Sequence, residues 1–465
     1  MKHVHGIAAL SVIGALTGCP TPTSEPDSGG PRSDTNADAN LSRSFADSTD
    51  DVVWRDLATD GSRLYAAGYD AEGLMGGVIV RTIVIAAYEG DGSLAWRHEL
   101  GRSSGIANAV EVDADGTVWF AGELSRDVTL GSVALTEIGD DDVFVLAVTR
   151  DGEAMRGWVA GGMDKDHADA LTIGPDGPVV AGAVAGTVDL GAGPVVAGEV
   201  DASIFVAAWD RLGAPRWSHV YTVEDGEIDA EEIDVAPSGR VVLIGDLGEV
   251  RSVSLGGAPL ENVDGSFVLE LGADGAFERS WALDPTNTAE AYLRGVVALD
   301  DSSIFLGSFG ESLTLGGTTL TTFGASLAER CVSMPADPDC PLLEGGAWTS
   351  WQDTFVARLD GPETLRWSVV HAGLEPNEGA RDLEADGEAV LAAVSRGRVQ
   401  RGASAREASV LRITQSGDLA SSSETGGSEI TAHAGGAVTS DSTGEGGILP
   451  GMHATSTLRA VTLTP

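Results

Sequence analysis

The sequence predicts an all-β protein folded as a single β-propeller. Three observations predict it. A strand unit closing on glycine recurs about every 60 residues, 62 of the 465 residues are glycine with few helical segments among them, and several apolar runs occupy consecutive positions. About seven copies fit four-stranded blades, so seven blades are expected, with six and eight also compatible with the spacing.

The first repeated element is a turn followed by an apolar strand that ends in glycine. It runs from Asp60-Gly61 to Gly68, Asp115-Gly116 to Gly122, Asp176-Gly177 to Gly182, Ser238-Gly239 to Gly245 and Asp301-Ser302 to Gly307, with weaker copies at Asp386-Gly387 and Gly435-Gly436. The second element is Leu-Gly, at 130–131, 190–191, 255–256 and 315–316. An apolar run follows it, as in Asp142-Val143-Phe144-Val145 and Asp353-Thr354-Phe355-Val356. Consecutive apolar positions ask for burial on both faces, the condition of a middle strand in stacked blades. The third element is a turn glycine four or six residues before tryptophan: Gly92 and Trp96, Gly152 and Trp158, Gly213 and Trp217, Gly275 and Trp281, Gly361 and Trp367. Even spacing returns the indole to one strand face, and core packing between blades is the expected role. Thr457 to Leu463 offers a last strand, and Val52-Val53-Trp54 is read as its complement, an N-terminal strand closing the final blade. A ring closed in this way is expected to be monomeric, because closure removes open sheet edges.

Composition bounds the partners. Hydrophobic residues at 42% supply a large core, and 28 basic against 71 acidic residues give a formal charge of −43. That surface repels nucleic acid, which is excluded as a partner, and is read chiefly as an acidic coat for solubility.

Residues 1–18 have the form of an export signal: Lys2, an apolar run from Gly6 to Leu16, then small residues. The run is shorter than the ~20 residues needed to span a bilayer. Leu16-Thr17-Gly18-Cys19 resembles the bacterial lipobox, which implies acylation of Cys19 and anchoring to a lipid bilayer. Pro20 follows where that family places aspartate for inner-membrane retention, so the resemblance implies an outer-membrane lipoprotein facing periplasm or exterior. From 19 to 50 the chain is rich in Pro, Ser, Thr, Asp, Asn and Gly and is expected to be a flexible tether. The propeller is expected over 51–465, with an insertion around 324–352.

The order of turn, strand ending in glycine, Leu-Gly, Asp-x-Phe-Val and Trp resembles the bacterial β-propeller repeats called SBBP, best over 105–370. Asp91-Gly92-Ser93-Leu94-Ala95-Trp96 also resembles PQQ-like repeats, which imply either a quinone dehydrogenase or an outer-membrane assembly scaffold. The Leu-Gly element favours the first family.

No convergent catalytic set is legible. Gly101-Arg102-Ser103-Ser104-Gly105 has the spacing of a nucleophile elbow but lacks the strand and helix that frame one. The densest polar cluster runs from Asp164 to Asp169 and is expected to be a solvated loop, with the acidic run Glu224 to Asp234 as the corresponding loop of the next blade. Glu375, Glu378 and Asp382 continue the series. Together these loops would form an acidic rim, with Asp166, His167, Asp169, Glu227, Asp229 and Glu231 as the candidate binding residues. No cofactor is expected; calcium is the ion that oxygen-rich loops would suit, although neither an EF-hand nor a G-G-x-G-x-D repeat occurs. Cys331 and Cys340 lie in the insertion and are expected to form a disulfide in an oxidising compartment, stabilising by about 2–3 kcal/mol. The sequence therefore favours a membrane-anchored, non-enzymatic propeller binding a protein or glycan at the envelope. The alternative is an enzyme, a polysaccharide lyase or hydrolase or a quinone-dependent dehydrogenase, working at the central opening.

Overall fold

In a computed structural model of the chain, the described residues are 42–46, 52–75, 78–198, 203–283, 291–310, 312–322, 352–371, 379–386, 389–400, 403–425, 429–433, 436–440 and 457–461. Cys19, Cys331, Cys340, Glu375 and Glu378 lie outside them, as do most of the expected tether and insertion.

All the regular structure described is β-strand, arranged as a single propeller. Antiparallel four-stranded blades span residues 52–99, 105–162, 167–222, 227–282, 291–371 and 379–425, and are numbered 1 to 6 here. Their first strands, Val52–Thr59, Gly105–Val112, His167–Gly174, Glu227–Val235, Ala291–Ala298 and Gly379–Asp386, lie side by side around the axis. Each buried cluster except the one internal to blade 1 joins two successive blades, which is how radially stacked sheets bury both faces. Phe144, Phe205, Phe267 and Phe355 sit on third strands with almost no exposure. Each contributes about 1.5–3 kcal/mol by leaving water.

Six blades with described cores replace the seven expected. The weak last copy is described as paired backbone: Glu429–His433, Gly436–Ser440 and Thr457–Val461 form a four-stranded sheet with Ser42–Ala46. The partner of the C-terminal strand is thus Ser42–Ala46, inside the stretch read as tether. Val52-Val53-Trp54, expected to complete the last repeat, instead opens the inner strand of blade 1, where Val52 and Trp54 are buried.

The repeated glycines have a common cause. Gly68, Gly122, Gly182, Gly245 and Gly307 lie opposite Trp54, Ala107, Ala168, Ala230 and Leu293, each immediately before a register shift in the inner strand. A Cβ there would meet a main-chain oxygen of that strand at 2.1–2.4 Å. The glycine lets the inner strand close in and bulge, leaving one extra residue unpaired. Blade 6 bulges at the same place with Val394 opposite Ala380.

The tryptophans stitch blades together at their outer strands, as expected. Trp96, Trp217 and Trp367 donate their indole N–H to the carbonyls of Arg150, Ala273 and Gln415 in the next blade, at 2.9, 3.2 and 2.8 Å. Their rings lie on the turn glycines Gly152, Gly275 and Gly417. Ion pairs reinforce this turn face, including Arg150 with Asp60 and Arg63 with Asp151, both at 2.8 Å. The antiparallel order puts the turns between first and second strands and between third and fourth strands on one face. The opposite face carries the connections between blades and the Leu-Gly hairpins, such as Val128–Leu130 with Val133–Leu135.

Candidate functional site

The bulged residues of the inner strands form a polar ring near the loop-rich end of the axis. They are Arg55, Asn108, Asp169, Glu231 and Arg294, one from each of blades 1 to 5, and each is half-buried. A bulge turns a side chain out of the alternation that would otherwise send it into the core. Neighbours in the ring touch. Arg55 Nε donates to Asn108 Oδ1 at 3.3 Å, and Asn108 Nδ2 donates to the Ala168 carbonyl at 2.8 Å. Arg294 lies 3.4 Å from Glu231 and 2.8 Å from Asp246, with its guanidinium 5.1 Å from the Tyr292 ring centre.

The ring is electrostatically divided. Burial pushes Glu231 up to about 7, and the nearby Asp246, Asp229 and Asp169 add to this while Arg294 opposes it. Burial lowers Arg55, Asp169 and Tyr69 counteract that, and Arg81 adds to the lowering. Arg294 is raised, because the attraction of Glu231 and Asp246 outweighs its burial. Blades 1 and 5 therefore contribute cations and blades 3 and 4 anions, a set that can hold hydroxyls, carboxylates or amines.

The sequence-predicted residues separate. Asp169 and Glu231 occupy equivalent bulge positions and share the ring. His167 lies 3.4 Å from Asp169, and Asp229 pairs in register with Asp246, so both border it. Glu227 is exposed at the start of its strand. Asp166 is no solvated loop residue: it is fully buried, accepting the Gly162 and Ala185 amides at 2.6 and 2.9 Å. Nor is Glu227 to Asp234 a loop; it lies in the inner strand of blade 4, whose polar residues face the axis or bind main chain. Asp234, for example, accepts the Ala298 amide of blade 5 at 2.7 Å. Asp382 begins to re-pair after the blade 6 bulge, and nothing is described of its side chain.

Arg55, Asn108 and Arg294 were missed by sequence reasoning. A signal existed: each bulged residue of blades 1 to 5 precedes its repeat glycine by 13 or 14 positions. In the elbow-like segment, the Ser104 hydroxyl is buried and accepts the Ile83 amide at 2.9 Å, a structural role. Among the described residues, no group of three or more His, Cys, Asp or Glu is placed to hold a metal ion, and no helix is long and apolar enough to cross a membrane.

No protein-family model and no curated protein matches the chain. Among solved structures, the chain is similar to the Neurospora crassa Pan2 WD40 domain, with 10% identity, TM-score 0.42, and coverage of 89% of this chain and 90% of that one. It is also similar to Drosophila Semaphorin 1b, extracellular domains 1–2, with 9% identity, TM-score 0.37, and coverage of 91% and 86%. A member of the DUF4221 family from Bacteroides vulgatus has 9% identity, TM-score 0.33, and coverage of 90% and 95%. Likenesses of this size carry nothing about partners or activity.

Proposed function

We propose that this protein is an envelope-anchored propeller that works by binding, presenting its loop-rich face and axial ring to a protein or glycan partner. The observation that carries the reading is the ring itself. Successive bulges deliver a different polar side chain from each of five blades to one place, while the opposite face is laced by turn contacts and ion pairs. Function lives in the site a fold carries, and repeats that differ at one aligned position build such a site here. In this reading the sheet of Glu429–His433, Gly436–Ser440, Thr457–Val461 and Ser42–Ala46 ties the C-terminal strands to the segment before blade 1. Acylated Cys19 holds the domain at the outer membrane through the segment before Ser42. The Cys331–Cys340 disulfide braces the insertion, whose flanking strands end on the loop-rich face at Gly310 and Gln352. The SBBP-like motifs accord with such a ring.

The test compares the native protein with Cys19→Ala in fractionated cells, and with a variant lacking 324–350 in partner capture. Membrane release of the first and loss of capture by the second are expected. Unchanged fractionation removes the anchor, and unchanged capture removes the insertion from the binding face.

Glu231 favours a second reading, in which the mouth is enzymatic. A carboxyl held near neutrality beside an arginine is suited to proton transfer. Degradation of a polysaccharide that stops on Glu231→Gln would establish it.

A further inference from the structure

We infer that Arg55 and Arg81, with Tyr69 beside them, form a site at the axial ring for the carboxylate of an acidic sugar. This rests on the binding reading above and names its ligand class. The register places the three together. Tyr69 on the second strand of blade 1 pairs with Ile83 on the third, and Arg81 lies two positions from Ile83, on the same sheet face. The Arg81 guanidinium is 5.6 Å from the Tyr69 ring centre. Arg55 is the bulged residue of the adjoining inner strand, within electrostatic reach of both Tyr69 and Arg81.

Two arginines kept together in a chain of charge −43 need an explanation, and no ion pair among the described residues supplies it. Among the described residues neither Arg55 nor Arg81 forms an ion pair. The side-chain hydrogen bond of Arg55 goes to the neutral Asn108, and Arg81 Nε is buried with no hydrogen-bond partner. Arg294, across the same ring, has both Glu231 and Asp246. Half-buried guanidinium groups that form no ion pair are left with desolvation that, for Arg55, the nearby Tyr69, Asp169 and Glu123 offset only in part. An anionic ligand placed between them would offset it through charge-assisted, planar hydrogen bonds.

The surroundings select among anions. Glu123 lies within electrostatic reach of Arg81, and Asp169 within reach of Arg55. A compact dianion such as phosphate would be repelled by both. A sugar carboxylate carries one charge, and the hydroxyls of its ring can donate to those acidic side chains and to Asn108 Oδ1. The Tyr69 ring offers the flat face against which a pyranose packs.

The test is titration calorimetry of the full chain with tetragalacturonate and with its fully methyl-esterified form, which keeps the hydroxyls and removes the charge. The acid is expected to bind at least about tenfold more tightly than the ester, the scale of a charge-assisted hydrogen bond. Arg81→Gln and Arg55→Gln should each abolish that preference with the melting temperature retained, and Arg81→Lys should keep part of it. If Arg55→Gln fails to fold, the two Arg81 variants decide. Equal binding of acid and ester, an undiminished preference in both glutamine variants, or no binding of either sugar overturns the inference. So does tighter binding of inorganic phosphate. Capture of a protein partner that survives Arg81→Gln, with no sugar bound, would overturn the sugar site and leave the binding reading standing.

Discussion

Trp96 donates its indole N–H to the main-chain carbonyl of Arg150, 2.9 Å away and 54 positions along the chain. The contact crosses from the outer strand of blade 1 to the turn of blade 2, and Trp217 and Trp367 repeat it farther round. Replacing Trp96 with phenylalanine keeps most of the apolar area and deletes the bond. A loss of about 1 kcal/mol is expected in denaturant unfolding, and Trp217→Phe should match it because the geometry is the same.

The repeat glycines should be far less replaceable than the open turn glycine Gly61. A Cβ at Gly122 would come within 2.1 Å of the Ile106 carbonyl oxygen, and both partners are main chain in packed strands. Gly122→Ala is expected to cost about 3 kcal/mol, by forcing the inner strand away. At Gly61 a Cβ meets nothing within 4 Å, and only the positive φ of 84° opposes a side chain. Gly61→Ala should cost about 1 kcal/mol. Thermal unfolding of the two variants side by side checks the ranking.

Asp166 gives the protein an acid-favoured contribution to stability. Burial raises its carboxyl from 3.8 to about 6, and the nearby Asp142 adds to the rise. Asp142 Oδ1 is buried without a hydrogen-bond partner, and both carboxylates crowd the position that a Gly161 Cβ would occupy. The folded state thus holds a proton that the unfolded chain releases more easily. The contribution is fully present below pH 3.8 and is lost as pH rises through about 6. Asp166→Asn should flatten the decline of melting temperature across that window while lowering stability throughout, since an amide cannot accept from both the Gly162 and Ala185 N–H groups as well as a carboxylate does. An unchanged slope would refute the assignment.

Glu231 should behave in the same sense at higher pH. Its carboxyl, at about 7 against an ordinary 4.5, favours the folded state most below pH 4.5, and that advantage fades as pH rises through 7. Arg294 is the neighbour that holds it down, so Arg294→Gln is expected to move the titration higher still. Carbon-detected NMR of the glutamate carboxyl would read the shift directly.

Sequence periodicity sufficed for the propeller but not for its blade count or the partner of the last strand, because its signals are local: a turn glycine, a two-face apolar run and an evenly spaced tryptophan each report one strand. The ring was harder to see. Asp169 and Glu231 drew notice as acids, whereas Arg55, Asn108 and Arg294 are a mixed set whose only shared property is a bulge. A bulge is a relation between two strands, and the glycine that permits it lies 13 or 14 residues away. Asp166 was misjudged for the opposite reason. It stands in a run of charges that looks solvated, yet two main-chain amides and the third-strand Asp142 enclose it.

The pairing of Ser42 with Val461 joins positions more than four hundred residues apart. Every other blade is assembled from sequence neighbours and can form while the chain is still arriving. The last sheet cannot, because all six numbered blades lie between its outermost strand and that strand's partner. Forming that sheet is thus the most non-local pairing among the described strands, the kind of contact that is slow to form. Until it occurs, Thr457–Val461 presents an open edge to every other molecule in the compartment. The self-repulsion of a strongly acidic chain then has a kinetic use, holding chains with an unpaired edge apart until the sheet has formed.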